Sequence, residues 1–309
     1  MQLLAESVVD FGQICILGSM KRSEFIKIFG LASAGMVTLP NLVQSAMALP
    51  TDDLLMPALF VGHGSPMNIV ADNPFTRSLR EWGQQLPRPK AIMVISAHWL
   101  TRGTYVSTSA KPTLIYDFFG YPDELYKVKY PAVGSPGYAK IACDAIARFD
   151  PMIDQDRGLD HGAWSVLLHM FPKADIPVFQ MSIDRARSLE EIYRIGKQLQ
   201  ALRAKGILVI GSGNVTHNQS LMAKEEDAPV PEWAEEFDIR VKNFLERQDE
   251  KALLNYGSWG KVSELAHPSN DHFLPLLYII AMRGESDTLK FTCEGFSHGT
   301  LSMRSFQVG

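Results

Sequence analysis

"LLMPALFVGHGSPMN", residues 54–68, runs an apolar stretch straight into a histidine set between two glycines. A short continuous apolar run bounded by turn residues marks a strand buried on both faces, as in parallel sheets that carry helices on each side. Leu55–Gly62 is read as that strand. In open α/β sheets ligands gather beyond the carboxyl ends of the strands, so an imidazole at residue 63 stands where chemistry is expected. The glycines beside it remove side-chain bulk, which lets a ligand or a metal approach the backbone.

Outward from this stretch, apolar runs alternate with segments of helical period. Strands are expected over Leu55–Gly62, Ala91–Ser96, Thr104–Thr108, Ile176–Ser182, Gly206–Gly211, Leu289–Cys293 and Leu301–Val308. Helices are expected over Pro74–Gln85, Pro136–Phe149, Ala163–Met170, Leu189–Lys205, Pro231–Gln248 and His272–Arg283. Such alternation predicts an α/β fold, a mixed sheet flanked by helices on both faces. No repeat or low-complexity tract divides residues 49–309, which are read as one domain; "KEEDAPVPEW", residues 224–233, is a polar loop ending at a helix start.

Of the 309 residues, 46% are hydrophobic, and 30 basic and 34 acidic side chains are interspersed, for a net charge of −4. With no Lys/Arg block, nucleic acid is not an expected partner. Cys15, Cys143 and Cys293 lie far apart, without the spacing of a disulfide framework or a thiolate metal site. A bound metal would have to be held by histidine and carboxylate.

Residues 1–48 read as a leader. Lys21, Arg22 and Lys27 give a basic start, Ile28–Leu39 an apolar stretch too short to span a bilayer, and Ala46-Met47-Ala48 a small-residue cleavage pattern. "RSEFIK", residues 22–27, resembles a twin-arginine export motif with Ser23 in place of the second arginine. Export to the periplasm is the expectation, with no lasting membrane insertion of the mature protein. A cytoplasmic location follows if the leader does not function.

Three of the eight histidines stand at the ends of apolar strands: His63, His98 in "VISAHW" and His217 in "VIGSGNVTHN". His161 in "GLDHGAW" opens a helix beside Asp160, where a carboxylate or backbone group would orient it. His272 in "SNDHFLPLLY" opens an apolar helix, with Asn270 or Asp271 as its expected cap. His169, His267 and His298 have no comparable setting and are read as structural. Three imidazoles at three strand ends suggest a metal centre. Neutral imidazole suits iron, zinc, copper and nickel, with a tetrahedral zinc or an open-faced iron(II) site leading.

"PALFVGHGSPMN", "AIMVISAHW", "DFFGYP", "YPAVGSPGYA", "DHGAWSVL", "SGNVTHN" and "DHFLPLLY", together with the ending "GTLSMRSFQVG", resemble in order and spacing the class III extradiol ring-cleavage dioxygenases of the DOPA dioxygenase type. The resemblance covers residues 55–309. It implies a LigB-like α/β fold and a non-haem metal enzyme that opens a catechol ring beside its two hydroxyls, using O2 and giving a muconate semialdehyde. Carried over by motif, His63, His98 and His272 resemble metal ligands, His217 an active-site histidine also counted near the metal, and His161 an acid/base beside them. Better-studied relatives in the superfamily use two histidines and a glutamate, whereas this chain has His272 where a carboxylate is expected. "YDFFGYP", residues 116–122, would supply an aromatic wall, with Phe119 where close relatives tend to have glycine, implying a narrower pocket.

Coordination chemistry bears on the same set. Of six positions on iron(II), a chelated catechol and O2 take about three, leaving about three for the protein. Four histidines cannot all remain bound during turnover, and His217 is read as the one that acts as a base. Fe(II) is the expected metal for turnover, and Zn(II), which four histidines can enclose, the expected metal of a resting form. The rival readings are a zinc hydrolase with His217 or Asp160 as base, and a non-catalytic metal-binding protein.

Overall fold

The computed structural model describes residues 55–309, so the leader-like segment 1–48 lies outside the described residues. An eight-stranded sheet has the order β4-β3-β5-β2-β6-β1-β10-β7. The strands are β1 (Ala58–Gly62), β2 (Ala91–Thr101), β3 (Tyr105–Ser107), β4 (Met152–Asp154), β5 (Val178–Asp184), β6 (Ile207–Gly213), β7 (Leu289–Cys293) and β10 (Ser305–Val308), with β8 (Phe296–Ser297) and β9 (Leu301–Ser302) forming a separate pair. The centre, β5-β2-β6-β1, is parallel, while β10 and β7 add antiparallel at one edge and β3 lies antiparallel to β5 near the other. The mixed sheet agrees with the α/β expectation.

Side-chain alternation on the central strands separates two cores. Phe60, Met93, Ile95 and Val209 face a layer built by α2 (Pro136–Ala145), α4 (Leu189–Leu199), α5 (Glu232–Arg247) and α8 (Leu274–Ala281). Leu59, Val61, Ile92, Val94 and Ile210 face α1 (Pro74–Gln85) and α3 (His161–Met170). Because both faces are covered, β1, β5 and β6 are buried at every residue, which is why they read as unbroken apolar runs.

Boundaries hold where local chemistry is strong. The α1 helix spans the expected residues because Asn73 forms a capping box with Thr76 and Pro74 opens the first turn. The expected strand 301–308 is divided instead, since the chain leaves β9 and joins the main sheet only at Ser305. The short elements β4, α6 (Glu250–Leu254) and α7 (Lys261–Ala266) lie outside the expected segments. At β2 the difference matters for the site. The strand does not end at Ser96 but continues to Thr101, and its register against β5 shifts between Ile95 and Leu100. His98 therefore stands within an irregular stretch of a strand, not after one.

Candidate metal centre

His63 follows β1 directly, and its N–H donates to Gly213 O at 3.0 Å, prolonging the β1–β6 ladder by one step. The flanking glycines have causes other than ligand access. A Cβ at Gly62 would lie 2.9 Å from Ser302 O, and Gly64 sits at φ +66°, where L side chains are strained. Asn214 then ties the turn together, accepting from Gly64 N–H and donating to Ser302 O at 2.8 Å.

Four rings of the centre, those of His63, His98, His161 and His272, are each held through Nδ1. Ser212 Oγ donates to Gly162 O at 2.6 Å, so it accepts from His63 Nδ1–H at 2.9 Å and leaves His63 Nε2 as a lone pair. Asp117 bridges two rings: Oδ2 lies 3.3 Å from His98 Nδ1, and Oδ1 lies 3.0 Å from His161 Nδ1 and 2.8 Å from the His161 backbone N. Asp271 Oδ2 accepts from His272 Nδ1 at 2.6 Å, and His272 Nε2 is buried without a hydrogen-bond partner. The Nε2 atoms of His63 and His98 approach to 3.2 Å. With both Nδ1 atoms donating to their acceptors, either a proton carried by His98 or a metal ion beside the two Nε2 atoms satisfies this close approach.

The five histidines share one cavity of about 650 Å³ just past β1 and β6 and beside the irregular stretch of β2. Among the described residues, His63, His98 and His161 each bring one ligand atom to within 4.8 Å of the others. The His272 ring centre lies 5.2 Å from that of His63 and 5.1 Å from that of His98. The His217 ring stacks on His272 at 3.5 Å. His161, expected to handle protons, thus stands as close to His63 and His98 as a ligand would. His169, His267 and His298 each meet a backbone carbonyl and do not line the cavity.

Burial keeps most of these rings neutral. Desolvation and the neighbouring imidazoles hold His63 and His272 well below the ordinary histidine range, and desolvation lowers His161 and brings His217 to about 4. At His98 burial also opposes protonation, but the Asp117 hydrogen bond and the charges of Asp160, Asp117 and Asp271 prevail and raise it. Carboxylates that favour a proton on His98 equally favour a metal ion beside it. Burial works against the charge of Asp117 and Asp271, yet their histidine partners hold both below the usual carboxylate range.

Several expectations change here. The carboxylate that orients His161 is Asp117, because Asp160 is fully buried and occupied as the α3 cap, accepting from Ala163 N, Ser96 Oγ, Arg157 and Gln180. Asp160 is therefore no candidate base. Asp271 does not cap α8, which begins after Phe273 without a side-chain cap; it binds His272 instead. Phe119 is 89% exposed and stands at the cavity rim, while Phe118 and Tyr121 form the wall. Asp117, Ser212 and Asn214 carry little signal in the sequence; the one local mark is an acid inside the aromatic run "YDFFGYP".

The family model for the catalytic LigB subunit of aromatic ring-opening dioxygenase matches residues 57–306. The chain belongs to that family and is an extradiol ring-cleaving dioxygenase, metal-dependent as its family is. It is 42% identical over 258 residues to a protein named 4,5-DOPA dioxygenase extradiol from Escherichia coli K12, covering 82% of this chain and 95% of that one. A protein of the same name from Beta vulgaris is 35% identical over 263 residues, covering 83% and 98%. The crystal structure of an uncharacterized Escherichia coli K12 protein superposes with a TM-score of 0.73 at 40% identity, covering 82% of this chain and all of that one. The hydrolase and non-catalytic readings are not favoured.

Proposed function

We propose that the chain opens the ring of a DOPA-like catechol at the 4,5 position, consuming O2 and releasing a muconate semialdehyde, with Fe(II) held by His63, His98 and His272. The observation that carries this reading is the convergence of imidazoles whose Nδ1 atoms are engaged by Ser212, Asp117 and Asp271, together with the unpartnered Nε2 of His272. Bound iron(II) would supply a redox-active Lewis acid at which catechol and O2 meet. Zn(II) suits the same donors in a resting form.

The remaining work falls to the protein. His217, neutral at working pH and stacked flat on His272, accepts the catechol hydroxyl proton. His161, fixed through Nδ1 by Asp117, offers Nε2 for a second proton transfer. Phe118 and Tyr121 wall the ring and exclude water. Residues 1–48 we assign as an export leader, tested by N-terminal sequencing of the protein recovered from the periplasm. Among the described residues no helix is long and apolar enough to cross a membrane.

The test is to load the purified protein with Fe(II), add DOPA without oxygen, and then admit oxygen. A yellow semialdehyde should form only after oxygen enters and only with iron; colour under anaerobic conditions, or none at all, defeats the proposal. His217→Ala should keep its metal and lose ring opening by about 10²–10⁴-fold.

A further inference from the structure

The ladder between β2 and β5 falls out of step beside the metal centre. From Ile95 to Leu100 β2 advances five residues, while β5 advances two, from Met181 to Ile183. The pairing of β2 with β6 ends at Ser96↔Ser212. Extra residues of this kind leave the ladder and re-aim a side chain. Here the peptide groups of His98 are bound by side chains. Its N–H donates to Ser96 Oγ at 3.2 Å, and its carbonyl accepts from Arg157 Nη2 at 3.4 Å.

Both side chains are anchored on one carboxylate. Ser96 Oγ donates to Asp160 Oδ1 at 2.7 Å, and Arg157 Nη2 donates to Asp160 Oδ2 at 3.1 Å. The guanidinium has further support, since it lies 5.0 Å from the Trp99 ring centre and Asp154 Oδ1 accepts from the Arg157 N–H at 2.8 Å. The α3 start packs closely on the same stretch: a Cβ at Gly162 would lie 2.6 Å from Ser96 Oγ and 2.9 Å from His98 Cδ2. Arg157 itself does not line the cavity. We infer that Arg157 is a positioning residue for His98, fixing with Ser96 the peptide of that histidine while Asp117 fixes its ring. The inference rests on the reading of His98 as a metal ligand. A peptide held at both its N–H and its carbonyl leaves the ring only its own torsions, and Asp117 restrains those. Lysine could bridge the same carbonyl and carboxylate but could not lie flat on Trp99.

The experiment measures Zn(II) affinity by calorimetry and the visible spectrum of the Co(II)-loaded protein, which reports ligand geometry. Arg157→Met should bind Zn(II) about ten-fold more weakly and shift the Co(II) bands, and Arg157→Lys should recover to within about three-fold of the parent. Ser96→Ala should shift the same bands. Leu245→Ala, a buried change near the end of α5 and outside the cavity lining, should lower the denaturant midpoint yet leave affinity and spectrum unchanged. Parental affinity and spectrum in Arg157→Met, or an equal change in Leu245→Ala, overturns the inference. If Arg157→Met does not fold, parental spectra in both Arg157→Lys and Ser96→Ala overturn it. His98→Ala separates the two readings. Parental Zn(II) affinity in that variant defeats His98 as a ligand, whereas weakened binding there beside unchanged Arg157 variants defeats only the positioning role.

Discussion

Asp271 holds its own neighbour in the chain, His272, whereas Asp117 reaches from the irregular stretch after β3 to hold two rings on different elements, His98 on β2 and His161 at the start of α3. The first pair is a local unit in which one carboxylate positions one imidazole. The second is a long-range clamp whose single carboxylate couples the β2 irregularity to the α3 N-terminus. Equal substitutions on the two sides should therefore have unequal consequences.

The largest expected effect separates the halves through what lies behind them. Beneath the Asp271 side, His267 is buried and donates from Nε2 to Val215 O at 2.7 Å, and burial lowers it to about 4. The corresponding support of the Asp117 side is Trp164, which donates to Ile115 O and does not titrate. Because the fold favours neutral His267, its contribution is complete above about pH 6.5 and is lost as the pH falls through about 4, a change of about 3 kcal/mol. Denaturant midpoints of the metal-free protein measured from pH 7 to pH 4 should fall less steeply in His267→Gln than in the parent. Parallel curves would remove His267 from the account.

Next in size, Asp117→Asn should lower metal affinity and ring opening by about 100-fold, because two rings lose their orienting acceptor. Asp271→Asn should cost about 10-fold, since only His272 is released. Metal titration followed calorimetrically checks both, and an inverted order breaks the contrast between clamp and local pair. The smallest effect belongs to Ser212→Ala. It leaves His63 Nδ1 without its acceptor, but the backbone of His63 stays fixed by Gly213, so a loss of about three- to five-fold in metal affinity is expected.

The same contrast explains what could be read before the structure. His63, His98, His217 and His272 stand out because each follows or precedes a strongly apolar element, and periodicity locates such elements well. Asp117 gives no such signal, since its role arises when an irregular loop closes on residues up to 44 positions away. Ser212 looks like one more small residue after an apolar strand; only the β1–β6 register puts it against His63. Asp160 departs from its sequence expectation for a related reason. A carboxylate beside His161 invites a catalytic role, yet the adjoining helix start claims it for Ala163 N. The central strands and α1 were legible because burial on both faces and a capping box leave local marks, whereas β4, α6 and α7 are too short to establish a period.

The β1 strand lies between β6 and β10, paired through Ala58↔Val209 on one side and Ala58↔Val308 on the other. During synthesis, His63 leaves the ribosome long before either partner exists. Its Nδ1 acceptor, Ser212, comes 149 residues later, and β10, which covers the other edge of β1, follows β6 in the chain. The His63 ring therefore stays without its Nδ1 acceptor on a nascent chain until β6 has been made, and β1 keeps one open apolar edge until β10 joins it.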